Sequence, residues 1–153
     1  MLIKKKSQIQ GALFVLTLLL VGSVNCDAQN NNSIAGIWKT FDDDTNQPAA
    51  LVQISEKDGI YSGVILKLLD PSAPLICDKC SDLRKGKPVL GMEILTGMKK
   101  SGDLYSGGHI LDPDDGDVYR AEIKLKDQGN KLDLRAYIGI PLFGRAQTWL
   151  REK

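Results

Sequence analysis

The chain has 153 residues, enough for one domain. Twenty Lys and Arg against nineteen Asp and Glu leave a formal charge of +1, so no general electrostatic case exists for nucleic acid as a partner. Fifteen glycines and six prolines, with no run of convincing helical period, point away from a helical bundle and toward β structure with many turns.

Residues 1–28 read as a cleaved signal peptide. Lys4-Lys5-Lys6 is a basic start, Ala12 to Val21 an apolar core, and Cys26-Asp27-Ala28 places small residues at −3 and −1, with Gln29 as the new N-terminus. The apolar core is short for a membrane span of roughly 20 residues. The expected product is therefore exported, periplasmic or secreted, with no stable membrane insertion after cleavage. Lipid attachment at Cys26 is the minor alternative, because Ser23 and Asn25 stand where a lipobox wants an aliphatic and a small residue. Cleavage leaves 17 basic and 18 acidic residues, a formal −1, and two cysteines. Residues 29–33 form a polar, Asn-rich leader expected to be flexible, and the domain proper runs over 34–153.

Eight strands are expected in chain order. Ile34 to Phe41 is the first, and the turn-rich Asp42 to Pro48 ends it. Ala49 to Glu56 and Ile60 to Leu69 flank Lys57-Asp58-Gly59, a hairpin turn whose Asp-Gly supplies positive φ. The long connection 70–91 holds three prolines and Cys77-Asp78-Lys79-Cys80, and a loop of that length is usually functional or pinned. Met92 to Lys99 and Leu104 to Leu111 follow, separated by Lys100 to Asp103. After Asp112 to Asp117, Val118 to Lys126 alternates cleanly, with Tyr119, Ala121, Ile123 and Leu125 on one face. Asp127 to Asn130 turns the chain into Lys131 to Ile138, with Leu132, Leu134, Ala136 and Ile138 inward. The loop Gly139 to Ala146 carries Pro141-Leu142-Phe143, and Gln147 to Arg151 is the last strand.

Eight antiparallel strands in sequence order close into an up-and-down barrel, which removes exposed edges. The first and last strands must then pair. Even-numbered connections are tight and odd-numbered ones long, so one end is sealed and the other carries every elaborate loop. Ten aspartates lie in those long loops against Lys79, Arg84, Lys85, Lys87 and Arg145, a formal −5 at the mouth. Such a field favours cations and disfavours phosphate-rich partners. The competing reading is that aspartate simply suits turns.

Gly36-Ile37-Trp38 on the first strand, with Arg151 on the last, resembles the lipocalin and calycin pattern, in which a Trp plugs the closed end and an Arg packs over it. The mature chain also resembles the DUF2147 family of exported bacterial proteins. The resemblance rests on Gly36 to Thr40, Cys77 to Cys80, Pro88 to Met92, Gly107-Gly108-His109-Ile110-Leu111-Asp112-Pro113, Leu134 to Gly139 and Gly144 to Trp149. It implies a calycin-like barrel and brings no catalytic residues.

Cys77 and Cys80 lack the helix start that lowers a redox thiol's pKa. A zinc site needs more ligands than the single His109 adds. A structural disulfide pinning the long loop is the expectation for an exported chain. Asp112 to Asp117 fails calcium-loop spacing, since Gly116 falls at the fifth position and no Glu at the twelfth. His109 has no nucleophile to serve, so no catalytic residue, metal or cofactor is expected. Asp112, Tyr137, Arg145 and Gln147 are the candidate ligand contacts at the mouth. Pro141-Leu142-Phe143 is expected to cap the barrel, with contact to a partner or to a membrane as the alternatives. Three functions remain open: a barrel holding a small, partly apolar ligand, an envelope interaction module with a filled barrel, and a metal-assisted enzyme using mouth aspartates. A cavity of several hundred Å³ would favour the first.

Overall fold

The computed structural model describes residues 31–153, and the expected signal peptide and Cys26 lie outside them. Eight strands form one closed antiparallel barrel in sequence order: β1 (Gly36–Phe41), β2 (Pro48–Lys57), β3 (Ile60–Leu68), β4 (Glu93–Ser101), β5 (Leu104–Leu111), β6 (Val118–Lys126), β7 (Lys131–Tyr137) and β8 (Arg145–Arg151). The sealed end is built from turns whose residues tolerate left-handed backbone. Asp58 and Gly59 take φ of 53° and 77° between β2 and β3, as a two-residue hairpin turn requires. Gly102-Asp103 joins β4 to β5, and a short 3-10 turn, Asp127–Gly129, joins β6 to β7.

Alternation decides which side chains face inward. On β6, Ala121 and Ile123 are buried, and on β7, Leu132, Leu134 and Ala136 are. β3 departs from strict alternation. Its register with β2 shifts between Leu51–Lys67 and Val52–Ile65, so Leu66 is an extra residue. This bulge lets Ile65 and Leu68 both turn inward, which explains why the sequence shows apolar residues on both faces of the strand. β8 begins at Arg145, two residues earlier than expected, because Ala136–Arg145 and Arg135–Ala146 extend its pairing with β7. Ile138 is exposed rather than inward, since β7 ends at Tyr137.

Below the middle the barrel is solid. Trp38, Ile54, Leu95, Met98, Tyr105, Ile123 and Leu132 fill it, each large side chain contributing about 1.5–3 kcal/mol by leaving water. At its base the Arg151 guanidinium lies 4.2 Å from the centre of the Trp38 ring. The same group donates to the carbonyls of Gly129 (2.6 Å), Ala35 (2.9 Å) and Ser33 (2.7 Å). Trp38 donates through Nε1 to the Ile34 carbonyl at 2.8 Å. Residues 31–33 therefore do not behave as a free leader: Ser33 is held by Arg151, and the Asn32 carbonyl accepts from Lys100 Nζ at 3.3 Å.

The 69–92 connection folds into an irregular hairpin over the open end. Ile76 and Pro88 form a bridge, Cys77 N–H donates to the Lys87 carbonyl, and Val89 N–H donates to that of Leu75. Val89 and Met92 plug it into the core. Cys77 and Cys80 form the expected disulfide, with both residues fully buried.

β1 and β8 close the barrel through Trp38–Arg151 and Lys39–Leu150. No register pair joins these strands on the mouth side of Lys39, whereas β6 and β7 pair at seven consecutive positions from Arg120–Tyr137 to Lys126–Lys131.

Candidate functional site at the barrel mouth

A cavity of about 600 Å³ enters the barrel from the end that carries the long loops. Its walls come from strand interiors: Val52, Ile65, Ile94, Leu134, Ala136 and Trp149, roofed in part by Val89 of the long loop. Its rim comes from loops and strand ends: Asp42, Asp43, Asp44, Asp70, Asp112, Asp114, Asp115, Tyr119, Arg145 and Gln147. The site is thus an apolar well under a polar collar, because alternation puts aliphatic residues inside while the turns above require aspartates.

Arg145 organises the collar. Its Nη2 lies 3.0 Å from Asp112 Oδ2 and 3.4 Å from Asp115 Oδ2, and its Nη1 lies 3.8 Å from Asp43 Oδ2. Its guanidinium stands 4.7 Å from the centre of the Tyr119 ring, within cation–π range. The Tyr119 hydroxyl donates to Asp115 at 2.7 Å, and this bond holds the phenol's pKa up at about 12. Gln147 links two more groups: its Nε2 donates to Asp43 Oδ1 at 2.8 Å and its Oε1 accepts from Trp149 Nε1 at 3.0 Å. Loss of solvent around the Asp114 carboxyl, then the charges of Asp112 and Asp42, raise it above the usual carboxylate range.

Among the described residues lining the cavity, Arg145 is the one basic side chain, and its charge is shared among three aspartates. The collar is therefore net acidic around an apolar opening. Among the described residues, no group of three or more His, Cys, Asp or Glu is arranged to hold a metal ion. No helix among them is long and apolar enough to cross a membrane.

Asp112, Arg145 and Gln147 all line the cavity, as expected from the sequence. Tyr137 does not. It stands on the outer wall, its hydroxyl donating to Glu122 Oε1 at 3.3 Å. The reason is parity: β7 turns Leu132, Leu134 and Ala136 inward, so Tyr137 must face out. The Pro141–Phe143 turn does not cap the barrel either, because Leu142 is 74% and Phe143 80% exposed. Asp43, Asp115, Tyr119 and Trp149 belong to the site and were not singled out. The alternation of β6 already placed Tyr119 inward; nothing local marked Asp43 among its neighbouring aspartates.

The roof is tied to the collar. Cys77 Sγ sits 3.9 Å from the Pro113 carbonyl, and Lys79 Nζ donates to the Asp114 carbonyl at 2.6 Å. At Gly116, φ is +80° and an added Cβ would lie 2.2 Å from the Lys79 carbonyl oxygen. The disulfide hairpin and the β5–β6 loop therefore pack backbone to backbone.

The sequence pattern of a family described as "Uncharacterized protein conserved in bacteria (DUF2147)" matches residues 36–151. The chain belongs to the DUF2147 family. Among solved structures it is similar to "Protein HP1028 from the human pathogen Helicobacter pylori belongs to the lipocalin family". That likeness has a TM-score of 0.68 at 19% identity, over 79% of this chain and 84% of the other. At that identity the likeness concerns the fold alone, a closed lipocalin-like barrel. No curated protein matches the chain. A bacterial DUF2147 barrel with a buried disulfide accords with export, since such bonds persist in oxidising compartments.

Proposed function

We propose that this DUF2147 protein is an exported, non-catalytic binding protein whose barrel takes up a small molecule with an apolar body and a cationic or hydrogen-donating end. The observation that carries this reading is the cavity of about 600 Å³ with aliphatic walls and an acidic collar, a volume within the range of roughly 300–1,000 Å³ typical of ligand pockets. The apolar body lies against Leu134, Ala136 and Trp149. The polar end meets the collar, where Asp112, Arg145 and Gln147 fix its orientation. Arg145 already satisfies three carboxylates, so an anionic end would have to displace them, whereas a cationic end finds acceptors free of that competition at Asp44 and Asp114.

Native mass spectrometry of protein purified from its own host tests this directly: a co-purifying small molecule supports it. The neutral apolar dye N-phenyl-1-naphthylamine supplies a second test. Binding should be saturable and quench Trp149, and Ala136→Phe, which fills the well, should abolish it while the fold is kept. Dye binding that Ala136→Phe leaves intact would overturn the proposal.

A second reading rests on Ile138, Ile140, Leu142 and Phe143, four exposed apolar residues on and beside one loop at the mouth. Contiguous exposed apolar surface marks interaction sites. Photocross-linking from position 143 that captures one defined protein, together with an empty barrel in native spectra, would favour an envelope interaction module.

A further inference from the structure

We propose that the ligand passes sideways between β1 and β8, through a seam latched by Asp43 and Gln147, rather than over the rim. The inference rests on the reading that the cavity holds a ligand.

Strand pairing at the seam is confined to the base. Beyond Lys39–Leu150 toward the mouth no register pair joins the two strands. β1 turns toward its other neighbour there: its register with β2 shifts between Lys39 and Phe41, and the Thr40 hydroxyl accepts from Ala50 N–H at 3.1 Å. Both edges of the seam line the cavity, through Thr40 and Phe41 on one side and Gln147 and Trp149 on the other. The well is thus separated from solvent at this line by side chains without a backbone ladder.

What closes the upper seam is the Gln147–Asp43 hydrogen bond at 2.8 Å, supported by the Arg145–Asp43 pair at 3.8 Å. The Asp43 side chain is 39% exposed, so water can replace either contact, and such bonds are individually weak. The roof is built differently. The disulfide stiffens the hairpin from within, the Lys79–Asp114 carbonyl bond and the Gly116–Lys79 backbone contact hold it to the β5–β6 loop, and Val89 anchors it in the core. Opening the roof requires pulling Val89 out of the core and parting the Gly116–Lys79 backbone packing as well as breaking the exposed Lys79–Asp114 bond, whereas opening the seam requires breaking only the exposed contacts of Asp43.

Stopped-flow binding of N-phenyl-1-naphthylamine tests the route. Asp43→Ala should raise the association and dissociation rates of this neutral dye together by about tenfold, the rate equivalent of one exposed hydrogen bond. Asp43→Asn keeps an acceptor for Gln147 and loses only the 3.8 Å charge pair with Arg145, so its rates should fall back close to the original ones. Lys79→Ala, which frees the roof from Asp114, should change neither rate. Faster exchange of dye in Lys79→Ala with none in Asp43→Ala overturns the proposal. So does a rise in the dissociation rate alone, which would make Asp43 a ligand contact. Hydrogen exchange on the free protein reads the seam without any ligand: Asp43→Ala should speed exchange over 40–42 and 147–149 and leave 94–98 unchanged. If the parent protein takes up no dye, the binding function fails while exchange still judges the seam; unaltered exchange at 40–42 and 147–149 overturns it.

Discussion

A β-carbon on Gly36 would lie 2.5 Å from Nη1 of Arg151. Gly36 also has a φ of +139°, which L side chains rarely adopt. The glycine two residues before Trp38 is therefore what lets the arginine reach over the tryptophan. Gly36→Ala should destabilise the barrel by about 2–3 kcal/mol, as expected for a strained backbone combined with a displaced hydrogen-bonding group. Urea unfolding with an unchanged m-value checks it. Arg151→Met, which keeps an apolar stem over the indole but removes every donor to Ser33, Ala35 and Gly129, should cost a similar amount.

Tyr105 is buried in the solid half of the barrel, and its hydroxyl has no hydrogen-bond partner. Its ring packs edge-on to Tyr61, with centres 5.0 Å apart. Removing the orphan oxygen leaves that packing in place. Tyr105→Phe should therefore leave stability unchanged or raise it by up to about 1 kcal/mol, the reverse of the usual effect of trimming a core residue. Thermal and urea unfolding report the sign.

The Cys77–Cys80 disulfide closes a short ring, so its own contribution belongs near the low end of roughly 2–4 kcal/mol. Its larger effect should be local, because the hairpin it pins is also the roof. A Cys77→Ala, Cys80→Ala double variant should keep the barrel and show faster proteolysis within 75–91. In the native protein the buried sulfurs should resist thiol reductants until the domain unfolds.

The Tyr119–Asp115 bond sets an alkaline limit. The phenol's folded pKa is raised from 10.0 to about 12, first by that hydrogen bond and then by burial. Its stabilisation is therefore fully present below about pH 10, the unfolded value, and is lost as pH rises through 12. Ultraviolet titration should show a tyrosine step near pH 12, and Tyr119→Phe should delete it. On the acid side Asp42, Asp70 and Asp82 are lowered, each first by a side-chain hydrogen bond, to Thr45, Ser72 and Arg84 respectively. Their contribution is present above the ordinary carboxylate pKa and fades as pH falls below it, so loop order should loosen in acid before the barrel melts.

The barrel was legible because strand period and turn residues agree at nearly every step. Asp58-Gly59 and Gly102-Asp103 occupy the hairpins they advertise, and the alternation of β6 and β7 assigns their faces without ambiguity. Strand ends were less legible. Arg145 and Ala146 look like loop residues and become strand only because β7 lies beside them. At the site, position in a mouth loop or at the start of the last strand put Asp112, Arg145 and Gln147 at the open end, where all three line the cavity. Tyr137 is of opposite parity to Leu132, Leu134 and Ala136 on β7, so it faces outward and away from the cavity. Asp43 and Asp115 were indistinguishable from their neighbours, since what marks them is the guanidinium of Arg145, which follows Asp115 by 30 residues and Asp43 by 102 and is brought to both only by barrel closure. Local sequence records no such meeting.

Ser33 and Arg151 are bonded to each other through Arg151 Nη2, at the base. Anything grafted before the first strand or after the last consequently projects from the floor of the cup, on the far side from its lip. An affinity tag, a fluorescent fusion or a sensor-chip linkage at the C-terminus should leave the binding face turned outward and unobstructed.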